Sequence, residues 1–311
     1  MLARAPSAMA ASAGARHFRS VTGGGSGLGS YLTNIGTESA SVPTYWFDEV
    51  ASTMDTAREL LRLNELECAS SGFFAVLAKS QTLGRGTRGR RWIPGGGNLY
   101  LTLVVDKSLL PSGVPLTLVP LRIGSLLHPI IRSRVGSAAT VQLKWPNDVL
   151  VDDKKVSGML IEIENDKLLI GIGMNVMSAP PVPDSNDDAD AGRSSTCIYN
   201  HQTAEQQQCS SSGGGGEDDC SSEQQDGIIQ GLADEVGESV QKWLASQDTG
   251  AAVIDDFSSN MLKSALKLRG NAGERGPGAQ VTPLRINPDG SLQVRYNADG
   301  TEGTLMADYL W

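Results

Sequence analysis

The distribution of apolar and polar positions divides the chain into a succession of short elements. Residues 44–50 (TYWFDEV) read as a first strand. Ser52 then stands where a helix N-cap belongs, and the apolar side formed by Leu60, Leu61 and Leu63 predicts a helix over 54–66. Residues 73–79 (FFAVLAK) form a continuous apolar run and read as a buried strand. A Gly/Arg-rich loop at 84–91 separates it from a strand at 98–105 (NLYLTLVV). Apolar spacing over 114–135 is helical, with Pro120 and Pro129 expected to kink or divide the helix. Strands follow near 141–145, 148–152, 156–164 and 167–177. The last three, joined by short polar turns, suggest an antiparallel meander.

Beyond this meander the pattern changes. Residues 178–226 are rich in Pro, Asp, Ser, Gln and Gly, and hold too few apolar residues to fold alone; they are expected to be a disordered insert. Amphipathic helices are expected over 227–247 and 251–267. Residues 279–309 read as three short strands separated by PDG and ADG turns. The sequence therefore predicts an α+β domain over 44–268, with a mixed or antiparallel sheet and flanking helices. A small β module follows at 269–311, and residues 1–43 form a tail.

Charge sharpens this division. The net charge is −9, but ten of the 35 acids and only one of the 26 bases fall within 178–226. The rest of the chain is balanced, which disfavours a globally basic nucleic-acid binder. No apolar run approaches the ~18–20 residues of a membrane span, and aromatics are 5% of the chain, too few for a stacking surface for single strands. The four cysteines form no CxxC pair, which suits a reducing compartment. Cys197, His201, Cys209 and Cys220 match no standard zinc spacing. Residues 1–37 contain no acid and carry Arg4, Arg16 and Arg19. They read either as an organellar transit peptide or as a Gly/Ser-rich tail. The expected location is intracellular, cytoplasmic or organellar (mitochondrion or plastid).

Three groups of residues carry chemistry. The first is GRGTRGRRW at 84–92, preceded by Gln81, with four arginines and three glycines in its first eight residues. The arginines repel one another unless an anion sits among them. Ordering such a loop costs roughly 1–2 kcal/mol per residue in backbone entropy, which charge-assisted bonds to a phosphate or carboxylate can offset. It reads equally as an anion-gated lid and as a solvated or RNA-binding RG loop. The second is Lys144-Trp145-Pro146-Asn147-Asp148, followed by Lys154-Lys155-Val156-Ser157-Gly158. Lys155 begins a half-buried strand. On physical grounds alone an outward, snorkelling side chain is favoured over a fixed cation in a pocket. The third is Gly171-Ile172-Gly173-Met174-Asn175. Its glycines allow close approach of a ligand or another backbone, and the Asn175 amide can both donate and accept, as an adenine edge requires.

In this order and spacing, GRGTRGRRW, NLYLTL, KWPNDVLVDDKKVSGMLIE and GIGMN closely resemble the biotin–protein ligases, or holocarboxylase synthetases. The resemblance covers about 44–177 and resumes more weakly over 227–311. It implies a class II synthetase-like catalytic domain and an SH3-like C-terminal β domain. The helix-turn-helix of the family's repressor members has no counterpart in the sequence, so no DNA partner is expected, and no membrane partner. The implied substrates are biotin and ATP with Mg2+, and the implied partners are biotin carboxyl carrier domains. Biotin's carboxylate would attack the α-phosphate, giving biotinoyl-5′-AMP, and a carrier lysine would then take the acyl group. Carried onto this chain, Ser52, Thr53, Gln81, Arg85, Gly86, Thr87, Lys155 and Gly158 would serve biotin. Arg85, Trp92, Asn147, Gly173 and Asn175 would serve ATP or the adenylate. Lys155 would be the catalytic cation, with Asp148 orienting it or holding magnesium and Lys144 assisting with phosphate charge.

Two positions depart from the family pattern. Thr87 stands where a third arginine is common, which bears on retention of the adenylate. Met54 replaces the small polar residue usual after Ser-Thr. The competing readings are a lipoate–protein ligase or octanoyltransferase, a biotin-binding pseudoenzyme, and a non-catalytic RNA or phosphate binder using Arg85–Arg91.

Overall fold

The computed structural model describes residues 32–35, 42–63, 72–180, 194–204, 206–207, 221–268 and 275–306. Its centre is an eight-stranded sheet. In chain order the strands are β1 (Leu32–Ile35), β2 (Thr44–Val50), β3 (Phe73–Gln81), β4 (Leu99–Asp106), β5 (Val141–Lys144), β6 (Asp148–Val151), β7 (Lys154–Glu164) and β8 (Lys167–Met174). The spatial order is β1-β2-β3-β4-β8-β7-β6-β5. Only β2 and β3 pair in parallel. A parallel pair needs a crossover, and helix α1 (Thr53–Leu63) supplies it.

That crossover puts α1 on one face of the sheet. Met54, Ala57 and Leu60 of α1 bury against Phe47, Phe74, Val76, Ala78, Val104 and Leu169. The residues between these on the strands, including Leu77, Leu101, Leu103, Ile170 and Ile172, point to the opposite face and form the main core. Helices α2 (Val119–Arg132) and α3 (Ser222–Leu244) cover that face, and α4 (Gly250–Ser259) packs on α2.

Several elements differ from their sequence reading. Pro120 does not divide α2; it occupies the first turn, where its missing N–H costs nothing, and only Pro129 lies inside the helix. Helix α3 begins at Ser222 rather than 227. Ser221 Oγ accepts the Gln224 N–H while Gln224 Oε1 accepts the Ser221 N–H, a capping box that starts a helix within a Ser/Gln-rich stretch. The last helix ends at Ser259, well before 267. Residues 260–262 instead run along the outer edge of β5, where Leu143 N–H donates to Asn260 O and Leu262 N–H to Leu143 O, both at 2.8 Å. Covering an open sheet edge outweighs continuing the helix. Residues 32–35, read as tail, pair with β2. Residues 194–204, read as part of a disordered insert, are folded against the sheet, with Thr196, Cys197 and Ile198 buried. Residues 1–31, 36–41, 181–193, 205 and 208–220, which include Cys209 and Cys220, lie outside the described residues.

The small C-terminal unit is a four-stranded antiparallel sheet of β9 (Leu266–Lys267), β10 (Gln280–Ile286), β11 (Leu292–Tyr296) and β12 (Glu302–Leu305). Its buried face, including Val281, Ile286, Leu292 and Val294, is continuous with the main core. The β10–β11 turn reaches the larger sheet: Trp145 Nε1 donates to Gly290 O at 2.9 Å. Gly290 has φ +86°, and a Cβ there would sit 3.1 Å from Thr117 O, so both conformation and contact call for glycine.

Candidate active site

The site lies on the α1 face of the sheet, around the junction of β6, β7 and β8. Asp148 pairs with Gly158 and Leu150 with Lys155, so β7 has one more residue than β6 over this stretch. This β-bulge reverses the alternation of side chains. Lys155 and Gly158, three apart, consequently face the same side. Lys155 Nζ lies 2.6 Å from Asp148 Oδ1, and its side chain keeps only 25% of its exposure. The outward lysine expected on physical grounds is therefore corrected: the bulge turns Lys155 into the site.

Lys144 Nζ approaches the other carboxylate oxygen, Asp148 Oδ2, at 3.3 Å. Burial of Asp148 would raise its pKa. The charges of Lys155 and then Lys144, with their hydrogen bonds, outweigh that and hold the carboxyl below the usual carboxylate range. Asp148 is thus ionised at neutral pH and fixes two ammonium groups. It does not fit the magnesium role considered from the sequence. Both oxygens are engaged by ammonium groups, whose charge would oppose a divalent cation at the same carboxylate.

Glycines form the floor. Gly158 pairs with Gly173 across β7 and β8, and a Cβ on Gly173 would meet the Trp92 ring at 2.6 Å. A Cβ on Gly158 would meet Lys155 Nζ at 2.6 Å. Lys155 Nζ is 5.4 Å from the Trp92 ring centroid, close enough for a cation–π contact. Gly171 is covered in the same way by Met54, whose Sδ would lie 2.7 Å from its Cβ.

The 84–92 loop is folded back on itself. Arg85 and Arg91 bridge, Gly86 N–H donates to Arg90 O at 2.8 Å and Trp92 N–H to Gly84 O at 2.9 Å. Arg90 donates to the Thr87 carbonyl and hydroxyl. Carboxylates of the protein relieve the repulsion among the arginines. Arg85 Nη2 lies 3.0 Å from Asp55 and 3.3 Å from Glu162, which it shares with Arg58. The sequence reading missed Asp55 and Glu162, because nothing local marks residues 30 and 77 positions away as partners of Arg85.

At the end of β3, Gln81 Oε1 accepts Thr53 N–H at 2.8 Å and the Thr53 hydroxyl at 3.2 Å. Thr102 Oγ1 donates to Thr53 Oγ1 at 2.9 Å. With its oxygen engaged, the Gln81 amide has its NH2 donors left for a ligand acceptor. Ser52 is buried beside this group. Thr102 was not singled out from sequence; a threonine inside an otherwise apolar strand was its only signal.

Asn147 and Asn175 separate in role. Asn147 Nδ2 donates to Met159 O at 2.7 Å, so its amide pins the KWPND turn to β7. Asn175 Nδ2 donates to Thr196 O at 3.0 Å, while its buried Oδ1 has no hydrogen-bond partner among the described residues. The same holds for Trp92 Nε1 and Arg85 Nε. Buried polar groups are normally satisfied; these three lie near the glycine floor and the two lysines, although buried atoms without a hydrogen-bond partner also occur away from the site, at Trp46, Ser125 and Trp243. Asn98, also missed from sequence, supports the site. Its Oδ1 accepts the N–H groups of Val176, Met177 and Ser178, fixing the chain just after Asn175.

Residues 46–176 match the biotin/lipoate A/B protein ligase family model. The chain is 37% identical over 138 residues to a biotin–[acetyl-CoA-carboxylase] ligase of Paracoccus denitrificans, covering 42% of this chain and 55% of that protein. It is 34% identical over 136 residues to the bifunctional ligase/repressor of Escherichia coli, covering 41% and 40% respectively. These matches span about half the length of the curated relatives. The structure resembles Leishmania major biotin protein ligase in complex with biotin, with 32% identity and a TM-score of 0.52, over 85% of this chain and 98% of that one. The fold is also that of Aquifex aeolicus biotin protein ligase in complex with biotin and ATP, at 24% identity and a TM-score of 0.58, over 86% and 97%. The chain belongs to the biotin protein ligase family.

Proposed function

We propose that the protein joins biotin to a lysine of biotin carboxyl carrier domains, using ATP and passing through biotinoyl-5′-AMP. The observation that carries this reading is the pair of lysines fixed on buried Asp148 above the Gly158–Gly173 floor. Such a pair supplies a preorganised positive charge.

In this reading Ser52, Thr53 and Gln81 hold the ureido ring, with the Gln81 NH2 donating to its carbonyl oxygen. The biotin carboxylate then reaches Lys155. Asn175 Oδ1 accepts from the adenine amino group, and Trp92 lies against the adenylate. Lys155 and Lys144 stabilise the negative charge that builds on the α-phosphate oxygens as the carboxylate attacks and pyrophosphate leaves. Arg85 exchanges its carboxylate partners for the ligand, and the loop shields the mixed anhydride from water. In the second step the carrier lysine's amine attacks the acyl carbon and AMP leaves. The chain supplies position and charge throughout and forms no covalent bond to substrate.

The test is transfer of labelled biotin to a carrier domain in the presence of MgATP. Transfer is expected with the wild type, and Lys155→Ala should lower it at least ~100-fold, about 2.7 kcal/mol of transition-state stabilisation. Lipoate in place of biotin should give no transfer. Biotin binding without transfer would instead indicate a pseudoenzyme, and neither binding nor transfer would overturn the reading.

A further inference from the structure

Residues 194–201 form a strap beside the bulge of β7. Lys155 N–H donates to Ser194 O at 2.9 Å, and Thr196 N–H donates to Lys155 O at 2.9 Å, making a parallel bridge at Ser195. The backbone of Lys155 therefore turns both its polar groups to the strap. The strap also holds Asn175, whose Nδ2 donates to Thr196 O at 3.0 Å and whose carbonyl accepts Ile198 N–H at 3.0 Å.

His201 fastens this strap. Its Nε2 lies 2.8 Å from Thr196 Oγ1 and its Nδ1 lies 3.1 Å from Asp152 Oδ2. Asp152 sits in the β6–β7 turn at φ +48°, and its Oδ1 accepts Thr140 N–H at 2.8 Å. The His201 carbonyl accepts Gly136 N–H at 2.7 Å. A row of bonds thus runs from the Lys155 backbone through Thr196 and His201 to Asp152 and the start of β5.

We propose that His201 is a positioning residue for Lys155, acting through Thr196. The hydroxyl of Thr196 is held by the imidazole while its main chain holds the Lys155 carbonyl. The proposal rests on the ligase reading above. Lysine side chains are rich in rotamers, and misplacing a reacting group by about 1 Å can cost ~100-fold in rate. Asp148 fixes only the tip of Lys155; the strap fixes its root.

The test compares full-length wild type with His201→Ala, Thr196→Val and Thr196→Ser. Two quantities are measured: biotin-dependent release of pyrophosphate from MgATP, and amide hydrogen exchange over 154–160 and 194–198. His201→Ala and Thr196→Val should each lower kcat about tenfold at equal folded fraction, because a partial displacement forfeits part of the orientation. The biotin KM, to which Ser52, Thr53 and Gln81 on other elements also contribute, should change less than kcat. Thr196→Ser, which keeps the hydroxyl, should retain at least about half the activity, and exchange in both segments should quicken for His201→Ala. Equal activity of the valine and serine variants, or unchanged exchange in His201→Ala, would overturn the proposal. Wild type without biotin-dependent pyrophosphate release would instead sink the ligase reading, and the exchange data would still decide whether His201 holds the strap.

Discussion

At the scale of single residues, Asp148 governs the site. It is buried between two ammonium groups, so removing its charge takes away the carboxylate that both of them approach. Asp148→Asn should cost about 3 kcal/mol at pH 7, at the low end for breaking a buried pair because Lys155 is partly exposed. The pH dependence has a definite sign. The folded-state pKa is depressed, so the stabilisation is fully present above the unfolded value of about 4 and is lost as pH falls toward the folded one. Urea unfolding of wild type and variant should therefore differ by a constant amount from pH 7 to about pH 4, with the gap closing below. The sequence made Asp148, Lys144 and Lys155 recognisable as a set. It did not show which way Lys155 points. Direction depends on a bulge that arises from the register of two strands, and no residue type marks the extra position.

At the scale of elements, the glycines of β7 and β8 and Gly227 of α3 have opposite meanings. Gly173 leaves room for the Trp92 ring, whereas a Cβ on Gly227 in α3 would meet nothing within 4 Å. Gly173→Ala should displace Trp92 and lower adenylation at least about tenfold, a loss of the order expected for a misplaced binding group. Gly227→Ala should leave activity unchanged and stabilise the protein by about 0.5–1 kcal/mol, raising the thermal midpoint by roughly 1–4 °C. Thermal melts with parallel activity assays check both. The central strands were legible because their apolar runs are long and bounded by turn residues; β2, β3, β4 and β7 fall close to their sequence spans. The strap at 194–201 was not legible. Its short run of Cys197, Ile198 and Tyr199 is set within a polar low-complexity stretch, and its structure comes from bonds to Lys155, Asn175 and Gly136, which lie far away in sequence. The partners of Arg85 escaped notice for the same reason: charge complementarity across 77 residues leaves no local trace.

At the scale of the whole molecule, the small C-terminal sheet touches the site through the Gly290 carbonyl and the Trp145 indole. Gly290→Ala places a side chain in the left-handed region and against Thr117 O, and should cost about 1–2 kcal/mol. It should also slow adenylation by loosening the KWPND turn that carries Lys144 and Asp148. Gly300→Ala is the matched control, with φ +72° and nothing within 4 Å of its Cβ. It should show similar strain with no loss of rate at equal folded fraction, as read from denaturation midpoints and pyrophosphate release. The sequence resolved the C-terminal strands from their turns but did not reveal this contact, which joins residues 145 positions apart. That distance has a consequence for biosynthesis. A ribosome that has translated every residue of the lysine–aspartate cluster has still to translate the turn that steadies it. On the ligase reading the site is steadied late in synthesis, and prematurely terminated chains should adenylate biotin more slowly than the whole protein.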